Sequence, residues 1–390
     1  MLALLAPSQG SQTPGFLRPW LDLPGALPRL RWFSEVSRQD LVMLGTEADE
    51  TAIKDTAVTQ PLIVAAGLLA AEQLPELTVD AAVVAGHSVG ELTAAALAGA
   101  LSPESAVALA GVRGREMAAA CGRVETGMAA VLGGDAAEVT ARIEDCGLVA
   151  ANRNGAGQVV AAGPLEGLAK LADNPPARAK VRQLKVAGAF HTPYMASAEE
   201  AIGAFAAGVP VANPHPILLS NYDGTAVVTG REAIKRLVRQ ITSPVRWDLC
   251  QGTLRDLGVT AVVELPPAGT LAGLAKRELK GVEIVAVKTP DDLAAARDLL
   301  ARHAQPHAGE PTVTFRVLVA PAAGTFARAD VDEGDTLAAG ATVGQVVTRR
   351  DATAVTATDP SVLVEWLAHD GDPVASGQPL VRLHPTGGNL

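Results

Sequence analysis

Aromatic residues make up only 3% of the 390 positions in this sequence. A chain so poor in rings offers few platforms on which nucleobases could stack. Forty-two acidic against 32 basic residues leave a net charge of -10, so the basic footprint of a nucleic-acid binder is missing as well. Cysteine is nearly absent. Cys121, Cys146 and Cys250 lie too far apart for a CxxC pair, and their odd number argues against a disulfide framework. They read as reduced, mostly buried thiols of a cytoplasmic protein. The longest apolar run, Pro61 to Ala71, falls short of the ~18 residues that a membrane span requires. No basic residue precedes the short apolar run in the opening MLALLAPSQG, which reads as a first strand rather than a signal peptide. Neither a nucleic-acid nor a membrane partner is expected.

What the chain has is small apolar mass. Hydrophobic residues account for 48% and charged ones for 19%, the balance of an ordered globule with a substantial core. At about 150 residues each, two to three domains are expected. From residue 1 to about 300, β-like runs alternate with Ala-rich helical stretches. Leu2 to Ala6, Ala81 to Ala85, Leu148 to Ala151, Val159 to Ala162, Pro216 to Ser220, Val259 to Leu265 and Val282 to Val287 read as strands. Gln60 to Gln73 and Ser105 to Ala120 have helical periodicity. The alternation predicts an α/β core with a mainly parallel sheet. Ser102-Pro103-Glu104 is a helix start, with Ser as N-cap and Pro at the first position.

Residues 303–311, HAQPHAGEP, read as a linker, because two prolines and little apolar mass leave nothing to bury. His303 and His307 have i, i+4 spacing, but a loose linker has no helix to hold it, so no metal site is expected there. Residues 312–390 are rich in Val, Thr and Gly and contain an internal repeat. Gly334-Asp335-Thr336-Leu337-Ala338-Ala339-Gly340 recurs 37 residues on as Gly371-Asp372-Pro373-Val374-Ala375-Ser376-Gly377. Two copies of a strand–turn–strand unit suggest two small sheets related by a pseudo-twofold axis.

The chemistry starts at AAVVAGHSVGE, residues 81–91. A buried strand runs into Gly86-His87-Ser88-Val89-Gly90 and then a helix, the setting a G-x-S-x-G elbow requires. Such a turn exposes Ser88 Oγ at the helix N-terminus, where the Val89 N–H can face a developing oxyanion. A nucleophilic serine needs a base. His87 diverges from its neighbour on the elbow and reads as structural. His215, His369 and His384 sit in a proline-rich segment and in the β region. His191, in Gly188-Ala189-Phe190-His191-Thr192-Pro193, ends a loop after a strand-like run and is the candidate base and acid. Arg113 follows the apolar run Val107 to Val112. A guanidinium there is costly unless it meets an anion, and its planar fork suits a carboxylate. Arg115 beside it reads as a surface arginine.

Gln9-Gly10-Ser11-Gln12 after the first strand, GHSVGE, Arg113-Gly114 and Phe190-His191 together resemble the malonyl-CoA:acyl-carrier-protein transacylases over residues 1 to about 300. Together with the linker and the β region read above, this gives domains at 1–302, 303–311 and 312–390. The first would be an α/β-hydrolase-like large subdomain interrupted by a ferredoxin-like small one at about 127–186. The resemblance implies transfer of a malonyl group from malonyl-CoA to the phosphopantetheine of an acyl carrier protein, supplying fatty-acid synthesis, with no bound cofactor or metal. Ser88 would be the nucleophile and His191 its base. The Gln9 side chain and the Val89 amide would form the oxyanion hole. Arg113 would grip the malonyl carboxylate, and the backbone carbonyl of Gln240 would orient His191. Phe190 before the histidine resembles the malonyl-selecting signature. Two departures stand out: Ser8 where the family has glycine, and Leu265-Pro266-Pro267-Ala268-Gly269 in place of a shorter turn.

The tail resembles the biotinyl/lipoyl-carrier fold, the barrel-sandwich hybrid. Its hairpin reads Thr348-Arg349-Arg350-Asp351-Ala352-Thr353, and no lysine follows Lys288, so neither biotin nor lipoate is expected. Arg178, Lys180, Arg182 and Lys185, and separately Lys276, Arg277 and Lys280, are either solvated faces or surfaces steering a carrier protein. Three alternatives remain: a trans-acting polyketide acyltransferase, a serine hydrolase with Asp135, Asp145 or Asp173 as its acid, and a catalytically silent scaffold.

Overall fold

Leu2–Ala6, five consecutive buried residues, form the strand β1 inside a six-stranded sheet. The computed structural model describes residues 1–75, 81–303, 316–348 and 351–386. The chain divides into two compact units, Met1–Gln305 and Pro306–Leu390. The first unit also contains β2 (Val83–Gly86), β3 (Thr126–Gly133), β4 (Val149–Gly155), β5 (Gln158–Pro164) and β6 (Ala179–Gln183). It continues with β7 (Ile217–Leu219), β8 (Ala226–Val227), β9 (Ala261–Glu264) and β10 (Glu283–Ala286).

The large sheet has the order β10-β9-β1-β2-β7-β8, with every neighbour parallel except the β7–β8 pair. Its central strands are buried on both faces, which is why they read as unbroken apolar runs. Parallel order brings the loops after β1, β2 and β7 to one edge, where the crevice of an open α/β sheet lies. The Pro61–Ala71 run belongs to the buried helix Thr56–Glu72. Among the described residues no helix is long and apolar enough to cross a membrane.

Between β2 and β7, residues 126–183 run strand–helix–strand–strand–helix–strand. They build an antiparallel sheet of order β4-β5-β3-β6, with helices Ala136–Asp145 and Leu165–Asp173. One face packs Val131, Ala129 and Ala161 against those helices. The other packs Met128, Val160 and Ala162 with Phe190, and so carries the loop holding His191. β3 and β6 are absent from the strands read in the sequence. β3 is Gly- and Ala-rich, with weak strand preference, and β6 is a polar edge strand paired only with β3.

The second unit is all-β among the described residues. Its strands are β11 (Arg316–Val319), β12 (Gly324–Arg328), β13 (Thr336–Leu337), β14 (Thr342–Val347) and β15 (Ala352–Thr356), then β16 (Ser361–Trp366), β17 (Pro373–Val374) and β18 (Pro379–Pro385). Two sheets result, β11-β18-β16-β13 and β15-β14-β12-β17. Shifting β12, β13 and β14 by 37 residues gives β16, β17 and β18, and the pairing register shifts with them. Thr325 faces Val347 as Val362 faces His384, and Gly324 faces Val374 as Ser361 faces Leu337. The glycines of the repeat, Gly334, Gly340, Gly371 and Gly377, all have φ between 82° and 100°. Val343 and Leu380 occupy equivalent core positions.

Two expectations need correction. His303 is not in a linker. It ends the helix Leu293–His303, with Nε2 2.9 Å from a Glu283 carboxylate oxygen and Nδ1 3.0 Å from Thr260 Oγ1. A carboxylate on the adjacent strand gives the last turn a fixed partner. Residues 304–311, His307 among them, and Arg349 and Arg350 of the hairpin lie outside the described residues. Of the three free thiols only Cys250 is buried, whereas Cys121 and Cys146 are half-buried.

Candidate active site

Gly86 and Gly90 let β2 turn into the helix Gly90–Leu97 without collision. A Cβ on Gly86 would lie 2.1 Å from the Gly90 carbonyl carbon, and one on Gly90 would lie 2.2 Å from the Ala6 carbonyl oxygen. Ser88 between them has φ 52°, a left-handed conformation that costs on the order of 1–3 kcal/mol in a non-glycine residue. Asn221, after β7, holds the turn: its Oδ1 accepts from Ser88 N at 2.8 Å and its Nδ2 donates to Gly86 O at 2.7 Å. The Val89 N–H has no partner among the described residues, which leaves a donor at the helix N-terminus beside Ser88 Oγ. Gln9 is half-buried in the loop after β1, and its side chain makes no hydrogen bond among the described residues. Positive φ in that loop belongs to Gly10, at 123°, not to Ser8, so the serine brings no backbone strain.

His191 approaches from the loop after β6. Its Nε2 lies 2.7 Å from Ser88 Oγ and its Nδ1 2.8 Å from the main-chain oxygen of Gln240. A carbonyl oxygen only accepts, so Nδ1 carries the proton and Nε2 presents its lone pair to the hydroxyl. Burial pushes the imidazole down to about 3, and the Arg113 charge adds to the effect. The His191 imidazole is therefore neutral at neutral pH. His191 too has a left-handed φ, 59°, and its loop is pinned by Ala189 N donating to Thr126 Oγ1 and Thr192 Oγ1 donating to Ala189 O. The three aspartates open to a hydrolase reading stand on the helices of the four-stranded sheet, Asp135 as the N-cap of one and Asp145 and Asp173 at their ends. A carbonyl, not one of these acids, meets His191.

Arg113 lies on the helix Pro103–Cys121, which Ser102 caps as the sequence predicts. It is 4% exposed. Nη1 donates to Gln60 Oε1 at 2.6 Å, and Nη2 to Gln240 Oε1 at 3.0 Å and Ser88 Oγ at 3.3 Å. Burial lowers its pKa to about 10, opposed by the charge of Glu91, so it stays a cation at neutral pH. No carboxylate pairs with it among the described residues. A buried cation met only by neutral groups is electrostatically incomplete, and an anion arriving beside Ser88 would complete it. Arg115 is exposed.

The structure thus brings Ser88, His191, Arg113 and both the carbonyl and the amide of Gln240 together. Phe190 is buried next to His191 in the shared core. His87 turns away, its Nε2 2.9 Å from Asn154 Oδ1 and its ring edge-on to Trp247. Four contributors went unread in the sequence: Gln60, Glu91, Asn154 and Asn221. Asn221 follows a predicted parallel strand at its carboxyl end, a placement that marks such residues. Glu91, a charge inside an apolar helix, carries the signal that singled out Arg113. Glu264 explains the Leu265–Gly269 departure, since its buried carboxylate accepts from the Gly269, Leu271 and Ala272 N–H groups and closes that loop. The basic residues of both clusters are exposed.

A serine held in reach of a neutral imidazole, with an unanswered cation beside it, suits transfer of an acyl group that bears its own negative charge; the chain is an acyltransferase. Its residues 33–310 match the acyl transferase domain family. It is 57% identical over 296 residues to the malonyl CoA-acyl carrier protein transacylase of Mycobacterium bovis, which spans 75% of this chain and 98% of that protein. The crystal structure of MCAT from Mycobacterium tuberculosis is similar at 56% identity and a TM-score of 0.74, covering 76% of this chain and 99% of that one. A type II polyketide-synthase acyl-carrier protein in complex with its malonyl-transacylase matches at 26% identity and a TM-score of 0.72, covering the same shares. The chain belongs to the malonyl CoA-acyl carrier protein transacylase family.

Proposed function

We propose that this protein moves the malonyl group of malonyl-CoA onto the phosphopantetheine thiol of an acyl carrier protein, supplying fatty-acid synthesis in the cytoplasm. Ser88 is the nucleophile. His191 Nε2 takes its proton as Oγ attacks the thioester carbonyl, and the tetrahedral oxyanion faces the Val89 N–H and Gln9. Collapse expels the coenzyme A thiolate, which receives the proton from His191. The carrier thiol then gives its proton to His191, attacks the malonyl ester, and the Ser88 oxygen recovers the proton as it leaves. The single observation that carries this reading is Arg113 Nη2 at 3.3 Å from Ser88 Oγ without a carboxylate of its own. It selects a donor with a free carboxylate, because acetyl-CoA would leave the buried charge unanswered.

The α/β-hydrolase-like description of the large sheet, with a ferredoxin-like insert at about 127–186 in a domain of 1–302, is supported by the strand–helix–strand–strand–helix–strand order and the β4-β5-β3-β6 sheet. The register repeat supports a barrel-sandwich hybrid at 312–390. Lacking a lysine, this unit serves docking, spacing or oligomerisation rather than carrying biotin or lipoate. A polyketide carrier is the second reading, supported by the similar complex with such a carrier. Radiolabelled malonyl-CoA incubated with the protein and a carrier tests the reading. Label is expected on holo fatty-acid carrier and not on the apo form. Release as free malonate, with none on any carrier, would tell against it.

A further inference from the structure

Glu91 sits in the first turn of the helix behind Ser88, 3% exposed, and the chemistry above does not use it. Its carboxylate accepts from Asn221 N at 3.1 Å and from Gln240 Nε2. The same Gln240 nitrogen donates to Ser88 O and Asn221 Oδ1, each at 3.1 Å, while Gln240 Oε1 accepts from Arg113. An amide has a donor end and an acceptor end. Turned over, Gln240 would set its NH2 against the Arg113 guanidinium, donor against donor, and its oxygen against the Glu91 carboxylate.

Resting on the function proposed above, we propose that Glu91 is a positioning residue for substrate selection. Its ionised carboxylate fixes the Gln240 amide so that Oε1 holds Arg113 in place. It thereby relays negative charge to the guanidinium without occupying the site of the malonyl carboxylate. A carboxylate touching Arg113 directly would compete with substrate, whereas an interposed amide does not. When Glu91 is protonated it no longer requires the donor end of the amide, and the Gln240 orientation rests on Arg113, Ser88 O and Asn221 Oδ1 alone, without the negative charge behind it.

Burial raises the Glu91 pKa to about 7, so the two states exchange near neutrality. The groups facing it are Ser220 and Asn221 after β7, Gln240 and Arg236 at the helix Gly230–Arg239, Arg113, and Cys250. Arg113 remains a cation there, and burial holds the Cys250 thiol well above its ordinary value. Neither titrates in that range.

The test is the ratio of kcat/KM for malonyl-CoA to that for acetyl-CoA as a function of pH. The phosphates of coenzyme A titrate in both substrates and cancel. In the unmodified protein the ratio is expected to fall about tenfold from about pH 8 to about pH 6, through KM more than kcat, the size of one lost charge-assisted contact. Glu91→Gln is expected to remove the slope and hold the ratio low. Gln240→Met, which keeps the main-chain carbonyl and deletes the amide, is expected to remove it too, and decides the matter if Glu91→Gln does not fold. A flat ratio in the unmodified protein, or an unchanged slope in either variant, overturns the role of Glu91. Absence of malonyl transfer at every pH tells instead against the function on which it rests.

Discussion

His191 and Gln240 meet through the main chain, with the carbonyl oxygen at the end of the helix Gly230–Arg239 2.8 Å from the imidazole Nδ1. A helix C-terminus carries partial negative charge, so this contact both fixes the tautomer and would favour the imidazolium in the proton transfer proposed above. No carboxylate is needed there, and none stands there among the described residues.

The depressed pKa of His191 has a kinetic consequence. A histidine of ordinary pKa loses its function as a base below about pH 6.5. His191, held near 3, stays unprotonated, so the rate of malonyl-enzyme formation is expected to be limited by no histidine ionisation down to about pH 5. Rapid-quench kinetics at saturating malonyl-CoA, where the KM effect of Glu91 drops out, check it across that range; an inflection near 6.5 in the saturated rate would contradict it.

The same shift acts on stability with a definite sign. Between about 3 and 6.5 the unfolded chain binds a proton on this histidine that the folded chain does not, so stability falls as pH falls through that window. At pH 5 the loss from His191 is about 2 kcal/mol. Urea denaturation at pH 7 and pH 5 is expected to show a smaller loss in His191→Gln than in the unmodified protein.

Arg113→Ala is expected to lower kcat/KM for malonyl-CoA by at least about a hundredfold, the scale of a broken buried charge contact, while acetyl-CoA changes far less. Steady-state kinetics with both thioesters check it. Equal losses for the two substrates would mean that the guanidinium does not read the carboxylate.

Gly90→Ala would drive a methyl group to 2.2 Å from the Ala6 carbonyl oxygen and 2.6 Å from that of Pro7, both main-chain atoms. Destabilisation of roughly 3 kcal/mol or more is expected, by overpacking against backbone that cannot yield. Gly99→Ala makes the comparison. With φ 71° and no atom within 4 Å of the place its methyl group would take, only backbone strain acts there. Thermal unfolding of the two variants separates collision from strain.

The parts of this fold legible in the sequence were those where one local signal sufficed. β1 matches its apolar run residue for residue, and Ser102-Pro103 marks the start of the helix that carries Arg113. The elbow, His191 and Arg113 were legible because each places an unusual residue in a recognisable setting: a serine between two glycines at a strand end, a histidine closing a loop and a charge in an apolar helix. β6 was not, since its exposed Lys and Arg follow no apolar alternation and its place depends on pairing with β3. Asn221, Gln60 and Glu91 stayed hidden for a related reason. Each is an ordinary polar residue whose role exists only when segments 53 to 149 positions apart are brought together. His303 was misread because a helix end and a linker share the same composition until Glu283 supplies a partner.

The relatives named above cover about three-quarters of this chain while being covered almost whole themselves. A chain ending at His303 is expected to retain malonyl transfer to a free carrier within about twofold in kcat, since all the groups at Ser88 are kept. A larger loss in the transfer assay would give the β unit a part in turnover.

The most direct test of the central claim is intact mass spectrometry after brief exposure to malonyl-CoA. The unmodified protein is expected to gain one malonyl group, lose it on addition of holo carrier, and show no gain in Ser88→Ala. A malonyl adduct persisting on Ser88→Ala, or an adduct that holo carrier cannot discharge, would contradict covalent transfer through this serine.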